Sequence, residues 1–120
     1  ALVHGSTQGI EVATVERYNL VTGHWETLPP MPTARRWCGA ASSRGMPYVF
    51  GGHDGTQYLG VAERLDLTTG MWETLPPMPT PREGCSVVAA DGVLYVFGGS
   101  HGEQALSAAE CFDPSSFSWE

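Results

Sequence analysis

The stretch "YVFGG" at residues 48–52 returns as "YVFGG" at 95–99, and "WETLPPMPT" at 25–33 returns at 72–80, both at an offset of 47 residues. One offset shared by two unrelated motifs is the mark of a repeat architecture, which has to be tested before any other reading. The register holds without a gap along the chain. It places Trp25, Trp72 and Trp119 together, Glu16, Glu63 and Glu110 together, and Tyr18 with Leu65 and Phe112. Arg35 falls on Arg82 in the same way. An uninterrupted register means that each unit makes the same elements and varies only in side chains.

Each unit reads as four strands, A to D. In "CSVVAADGVLYVFGG" (85–99) two apolar runs flank Asp91-Gly92, a strong hairpin signal, and Arg44-Gly45 occupies the same point one unit earlier. Strand B, "VLYVF", is apolar at consecutive positions, the pattern of a strand covered on both faces. A polar loop follows, "HDGTQYLG" (53–60) or "SHGEQALS" (100–107), and then a mixed strand C, "VAERLDL" or "AAECFDP". Strand D carries the Trp and stops at "LPPMPT", because proline cannot donate to a ladder. The fold class expected is all-β. Residues 1–33 form a partial first unit holding strands B to D, since "ALVHG" aligns with "YVFGG"; 34–80 form the second unit and 81–120 the third.

Composition narrows the function. With 120 residues, 42% hydrophobic content, 15 Gly and 9 Pro, the chain is a globular domain chopped into short elements. No apolar run approaches the length of a membrane span and no signal-peptide pattern opens the chain. A net charge of −7, from six Arg, no Lys and 13 acidic residues, repels phosphate backbones, so neither a membrane nor nucleic acid is expected as partner. Cys38, Cys85 and Cys111 lack the paired spacing of a zinc site or a disulfide scaffold, which fits reduced thiols and a cytoplasmic setting.

The joint presence of "YVFGG", "AERLDL" and "MWETLPPMPTPR" on one period resembles the kelch repeat, most of all the propellers of BTB-kelch ubiquitin-ligase adaptors. Propellers of the WD40 type have a similar period, but the Gly-His and Trp-Asp pairs they use are missing. The resemblance covers essentially the whole chain and implies β-propeller blades, each a four-stranded antiparallel sheet with strand A innermost at a central channel. Two and a half to three blades are fewer than a closed propeller needs. The expectation is therefore an incomplete ring: a segment of a longer chain, or a subunit that completes a six-bladed ring by self-association.

Antiparallel order puts the D-to-A and B-to-C loops around one mouth of the channel. The candidates for partner binding are Arg35, Arg36, Trp37, Arg82 and Glu83 from the first loop type, and His53, Asp54, Tyr58, Ser100 and His101 from the second. In cullin-ligase adaptors of this family these loops grip a degron peptide, often acidic, so the resemblance points to Arg35, Arg36 and Arg82 as anion contacts. A structural reading stands beside it: Arg35 and Arg82 share a repeat position, as do Glu63 and Glu110, so Arg–Glu pairs within or between blades explain both. Arg36 and Glu83 are equivalent positions with opposite charge, the variation expected of recognition rather than framework.

The remaining motifs read as framework. Gly51-Gly52 and Gly98-Gly99 lack the Lys and helix of a phosphate loop; they permit special dihedrals and close backbone approach beneath the Trp. The three Trp pack blades, and Cys38 and Cys85 are small buried residues near the inner strand. No cofactor, metal or catalytic residue is expected: His53 and His101 do not sit at matching positions, and no nucleophile motif or copper set is present. The function expected is a protein-interaction module that recognises a partner or degron peptide as substrate receptor of a cullin-type ligase. The alternatives are an actin-binding or structural kelch scaffold, and a fragment of a kelch-fold enzyme of the sugar oxidase or mutarotase type.

Overall fold

A computed structural model describes residues 13–120, and these described residues form strands and turns with no helix among them. The expected strand B of the first unit, at 1–5, lies outside the described residues. What remains of that unit is a hairpin of β1 (Val15–Asn19) and β2 (His24–Leu28). The second unit is a sheet in sequence order, β3 (Gly39–Ser43), β4 (Met46–Phe50), β5 (Ala62–Asp66) and β6 (Met71–Leu75), all antiparallel. The third repeats it with β7 (Ser86–Ala90), β8 (Val93–Phe97), β11 (Ala109–Asp113) and β12 (Ser118–Trp119), and between β8 and β11 its loop folds into a small hairpin, β9 (Ser100–His101) and β10 (Gln104–Ala105). These are blades of a propeller in an incomplete ring.

The turns follow from local chemistry. Arg44-Gly45 and Asp91-Gly92 have φ of 52° and 78°, and 51° and 79°, the double positive φ of a tight hairpin turn. At the C-to-D turn of the second blade the Asp66 carboxylate accepts the Thr68 and Thr69 N–H groups, and Gly70 takes φ 73°. In the third blade the matching position is Phe117, held at φ 57° where its counterparts are Gly23 and Gly70. β2 and β6 stop at Leu28 and Leu75, immediately before the proline pairs.

Blades are joined face to face. Tyr48, Phe50, Ala62, Leu75 and Met78 of the second meet Cys85, Leu94, Val96 and Phe112 of the third, while Val49 turns the other way toward Val15 and Met31. β4 is thus covered on both faces, with Tyr48, Val49 and Phe50 at 1% exposure or less. β8 departs from the same expectation: Leu94 and Val96 are buried, but Tyr95 and Phe97 are 37% and 43% exposed. The reason is geometric, since the described residues place a blade against only one face of the third sheet.

The tryptophans do more than fill space. The Trp72 indole N–H donates to the Pro29 carbonyl at 2.9 Å and that of Trp119 to Pro76 at 2.7 Å, each reaching into the preceding blade. Trp119 also packs edge-on against Phe50 at 5.7 Å. The glycine pairs serve a different neighbour from the one expected. A Cβ on Gly52 would lie 2.6 Å from the Arg36 carbonyl, and one on Gly99 2.5 Å from that of Glu83, so the close approach is to the D-to-A segments and not beneath the Trp. Cys85 is buried as expected, whereas Cys38 is half-buried, and none of the three cysteines is in a disulfide among the described residues.

Candidate partner-binding site

The mouth is assembled by main-chain pairing. Arg36 and His53 exchange N–H···O bonds at 2.9 and 3.0 Å, and Glu83 and Ser100 do the same at 3.0 and 2.9 Å. The D-to-A and B-to-C loops of each blade are thereby locked side by side, and the Gly84 N–H donates to the Trp37 carbonyl at 2.8 Å across the blade boundary. Tyr58 pairs with His53 as the outer member of the second blade's ribbon.

Two of the named arginines never reach this surface. The Arg35 side chain is 0% exposed; its guanidinium donates to the Gly51 carbonyl at 2.9 Å, to the Val61 carbonyl at 3.3 Å and to the Glu63 carboxylate. Arg82 repeats the pattern with Gly98 at 2.8 Å, Ala108 at 3.1 Å and Glu110 at 2.7 Å. The expectation that Arg35 and Arg82 contact a ligand anion is corrected here: their donors are spent on framework carbonyls and an internal carboxylate. Burial pulls the Arg35 guanidinium down from its ordinary value and pushes the Glu63 carboxyl up, and the attraction between them opposes both shifts.

The other candidates stay at the mouth. Trp37 is 39% exposed and sits at φ 53°, where the equivalent Gly84 has φ 69°. A bulky residue in the left-handed region is strained, and such strain clusters at functional sites. The Arg36 guanidinium lies 5.1 Å from the Trp37 ring centroid, a cation–π distance. Asp54 organises its own loop, its carboxylate accepting the Thr56 and Gln57 N–H groups at 2.8 Å. Those two donors, Gln57 first, hold its carboxyl below the ordinary aspartate value. Glu83 is half-buried and one of its carboxylate oxygens meets no hydrogen-bond donor among the described residues.

A contact between blades escaped the sequence reading. The Tyr58 ring lies 4.9 Å from that of His53, edge to face, and 5.1 Å from that of His101 in the next blade. Tyr58 and His101 share no repeat position, so no pattern in the sequence pairs them. On the opposite face a cavity of about 300 Å3 is lined by Arg44, Tyr48, Arg64, Asp91, Asp113 and Ser115. Its basic and acidic groups offset one another, and Arg64 is already bonded to Glu73 at 2.8 Å and to the Tyr48 hydroxyl at 3.1 Å. The mouth, with its exposed and strained aromatic residue, is the stronger site.

A family model described as the KLHDC2/KLHL20/DRC7 Kelch-repeats domain matches residues 3–120. This chain belongs to the kelch-repeat family. A segment of 50 residues is 40% identical to Kelch-like protein 8 of Caenorhabditis elegans; it takes in 42% of this chain and 7% of that protein's length. The buried Arg–Glu pairs, the Trp staples and the glycine pairs are accordingly kelch framework, repeated blade by blade. The mouth residues are where these kelch blades differ from one another: Arg36 against Glu83, Trp37 against Gly84, Tyr58 against Ala105.

Proposed function

We propose that this domain is a non-enzymatic protein-binding module whose ligand sits on the mouth formed by Arg36, Trp37, His53, Tyr58, Glu83, Ser100 and His101, and that the whole protein acts as the substrate receptor of a cullin-type ubiquitin ligase. The observation that carries the binding reading is Trp37: an exposed aromatic kept in a left-handed conformation that its counterpart meets with glycine. Exposed aromatic and Arg side chains around a well-packed centre are what binding hot spots are made of. The ligase role is supported by family membership and by the likeness to Kelch-like protein 8. Three cysteines outside any disulfide accord with the reducing cytoplasm in which such a receptor works.

A photo-crosslinking amino acid placed at position 37 tests the mouth directly. It should give a protein adduct that Tyr58→Ala abolishes, while the same group at position 44, on the opposite face, gives none. Equal capture from both faces would sink the reading. The ligase role predicts that the captured protein persists longer in cells carrying Trp37→Ser together with Tyr58→Ala; an unchanged lifetime removes that half of the proposal.

A further inference from the structure

The two histidines at the mouth present opposite hydrogen-bonding characters, and the backbone sets which is which. His53 Nδ1 accepts the Gly55 N–H at 2.9 Å, so that nitrogen carries no proton and the neutral ring holds its hydrogen on Nε2. His101 Nδ1 lies 3.0 Å from the Pro81 carbonyl oxygen, which can only accept. Here the proton is on Nδ1 and Nε2 is left with its lone pair. Among the described residues neither Nε2 has a hydrogen-bond partner, and both rings flank Tyr58, at 4.9 and 5.1 Å. One aromatic ring thus stands between a donor and an acceptor.

On the reading that the mouth holds the partner, we propose that the His53–Tyr58–His101 array recognises the side-chain carboxamide of a glutamine or asparagine in the bound segment. His53 Nε2–H donates to the amide oxygen, and His101 Nε2 accepts one amide N–H. A carboxylate offers acceptors alone and would set an anionic oxygen against the His101 lone pair; an ammonium offers donors alone and leaves the His53 N–H unpaired. A desolvated polar group left without its partner is what such a site discriminates against. The charge around the array agrees. Arg35 and Arg82 are sunk in ion pairs, the single charge of Arg36 at the mouth is outnumbered by those of Glu83 and Asp54, and the chain as a whole carries −7. This surface is not built to gather acidic segments.

The test is to pan a randomised peptide library against the full chain, then titrate a selected peptide beside its glutamate and alanine versions. Glutamine or asparagine should recur at one position, and either replacement should weaken binding about tenfold, the size of one net hydrogen bond. His101→Phe keeps an aromatic ring against Tyr58 but removes the acceptor; it should erase the amide preference, so that the glutamine and alanine versions then bind alike. Selection of carboxylate-bearing peptides, or a preference that survives His101→Phe, overturns the proposal while the mouth reading stands. Peptides indifferent to Trp37→Ser and Tyr58→Ala overturn the mouth reading itself. Imidazole nitrogen shifts measured by NMR give a check that needs no peptide: the Nε2–H form for His53 and the Nδ1–H form for His101 are expected, and one shared tautomer ends the proposal.

Discussion

The second and third blades share one register and one set of framework contacts, yet Tyr48 and Phe50 are at 1% and 0% exposure while their counterparts Tyr95 and Phe97 are at 37% and 43%. The strands are the same length and the sequence "YVFGG" is identical. The difference lies in what is packed on them. In a propeller a blade writes half of its own core and its neighbours write the rest, so burial belongs to the pair of blades and not to the repeat. The arginines teach the complementary lesson: Arg35 and Arg82 are both 0% exposed, because the carboxylates that pair with them come from within the same blade.

The largest effect expected from this contrast is at the ion pairs. Arg35→Ala strands Glu63, 2% exposed, without its cation and should cost about 3–5 kcal/mol in chemical denaturation. Arg82→Ala should cost less, because Glu110 is 11% exposed and keeps the Thr80 hydroxyl at 3.1 Å. Replacing Arg35→Met and Glu63→Leu together should recover most of the loss, since the desolvation of two charges is removed with them. Equal losses at the two arginines would break the idea that the second blade is the more enclosed.

Next in size are the matched aromatics. Phe50→Ala opens a cavity in the joint between blades, worth about 3–5 kcal/mol, whereas Phe97→Ala at a half-open surface should stay below about 1 kcal/mol. Similar values for both would mean that Phe97 is covered by something as substantial as a blade. The smallest change is the most telling for function. Trp37→Gly relieves the left-handed backbone and should raise stability by about 1 kcal/mol while weakening partner binding, so thermal melting and binding move in opposite directions. A loss of both would make Trp37 framework.

Much of this molecule was legible in its sequence, and the rest failed for identifiable reasons. A 47-residue period, the Asp91-Gly92 and Arg44-Gly45 turns and the proline stops located the strands, because each is a local constraint stated in a few adjacent residues. The shared positions of Arg35 with Arg82 and Glu63 with Glu110 pointed to an internal ion pair, which the structure bears out, while the resemblance to peptide-gripping adaptors also offered those arginines as surface contacts, which it does not. The incomplete ring expected from the blade count already implied an open sheet face, but strand B's own residues read as covered on both sides, because the exposure of Tyr95 and Phe97 depends on a neighbouring blade. The meeting of Tyr58 with His101 was illegible because it joins two variable loops. Phe117 was the missed signal that the repeat did contain: an aromatic where the other two units have glycine, stacked under Arg64 at 5.5 Å.

The indole bonds from Trp72 to Pro29 and from Trp119 to Pro76 all point backward along the chain. Each can form only after the previous blade has laid down its proline segment. On a ribosome that segment emerges first, so every new blade finds its docking carbonyl already waiting and is fastened as its own tryptophan appears. Synthesis in chain order therefore presents these two tryptophans with a docking carbonyl that has already been made.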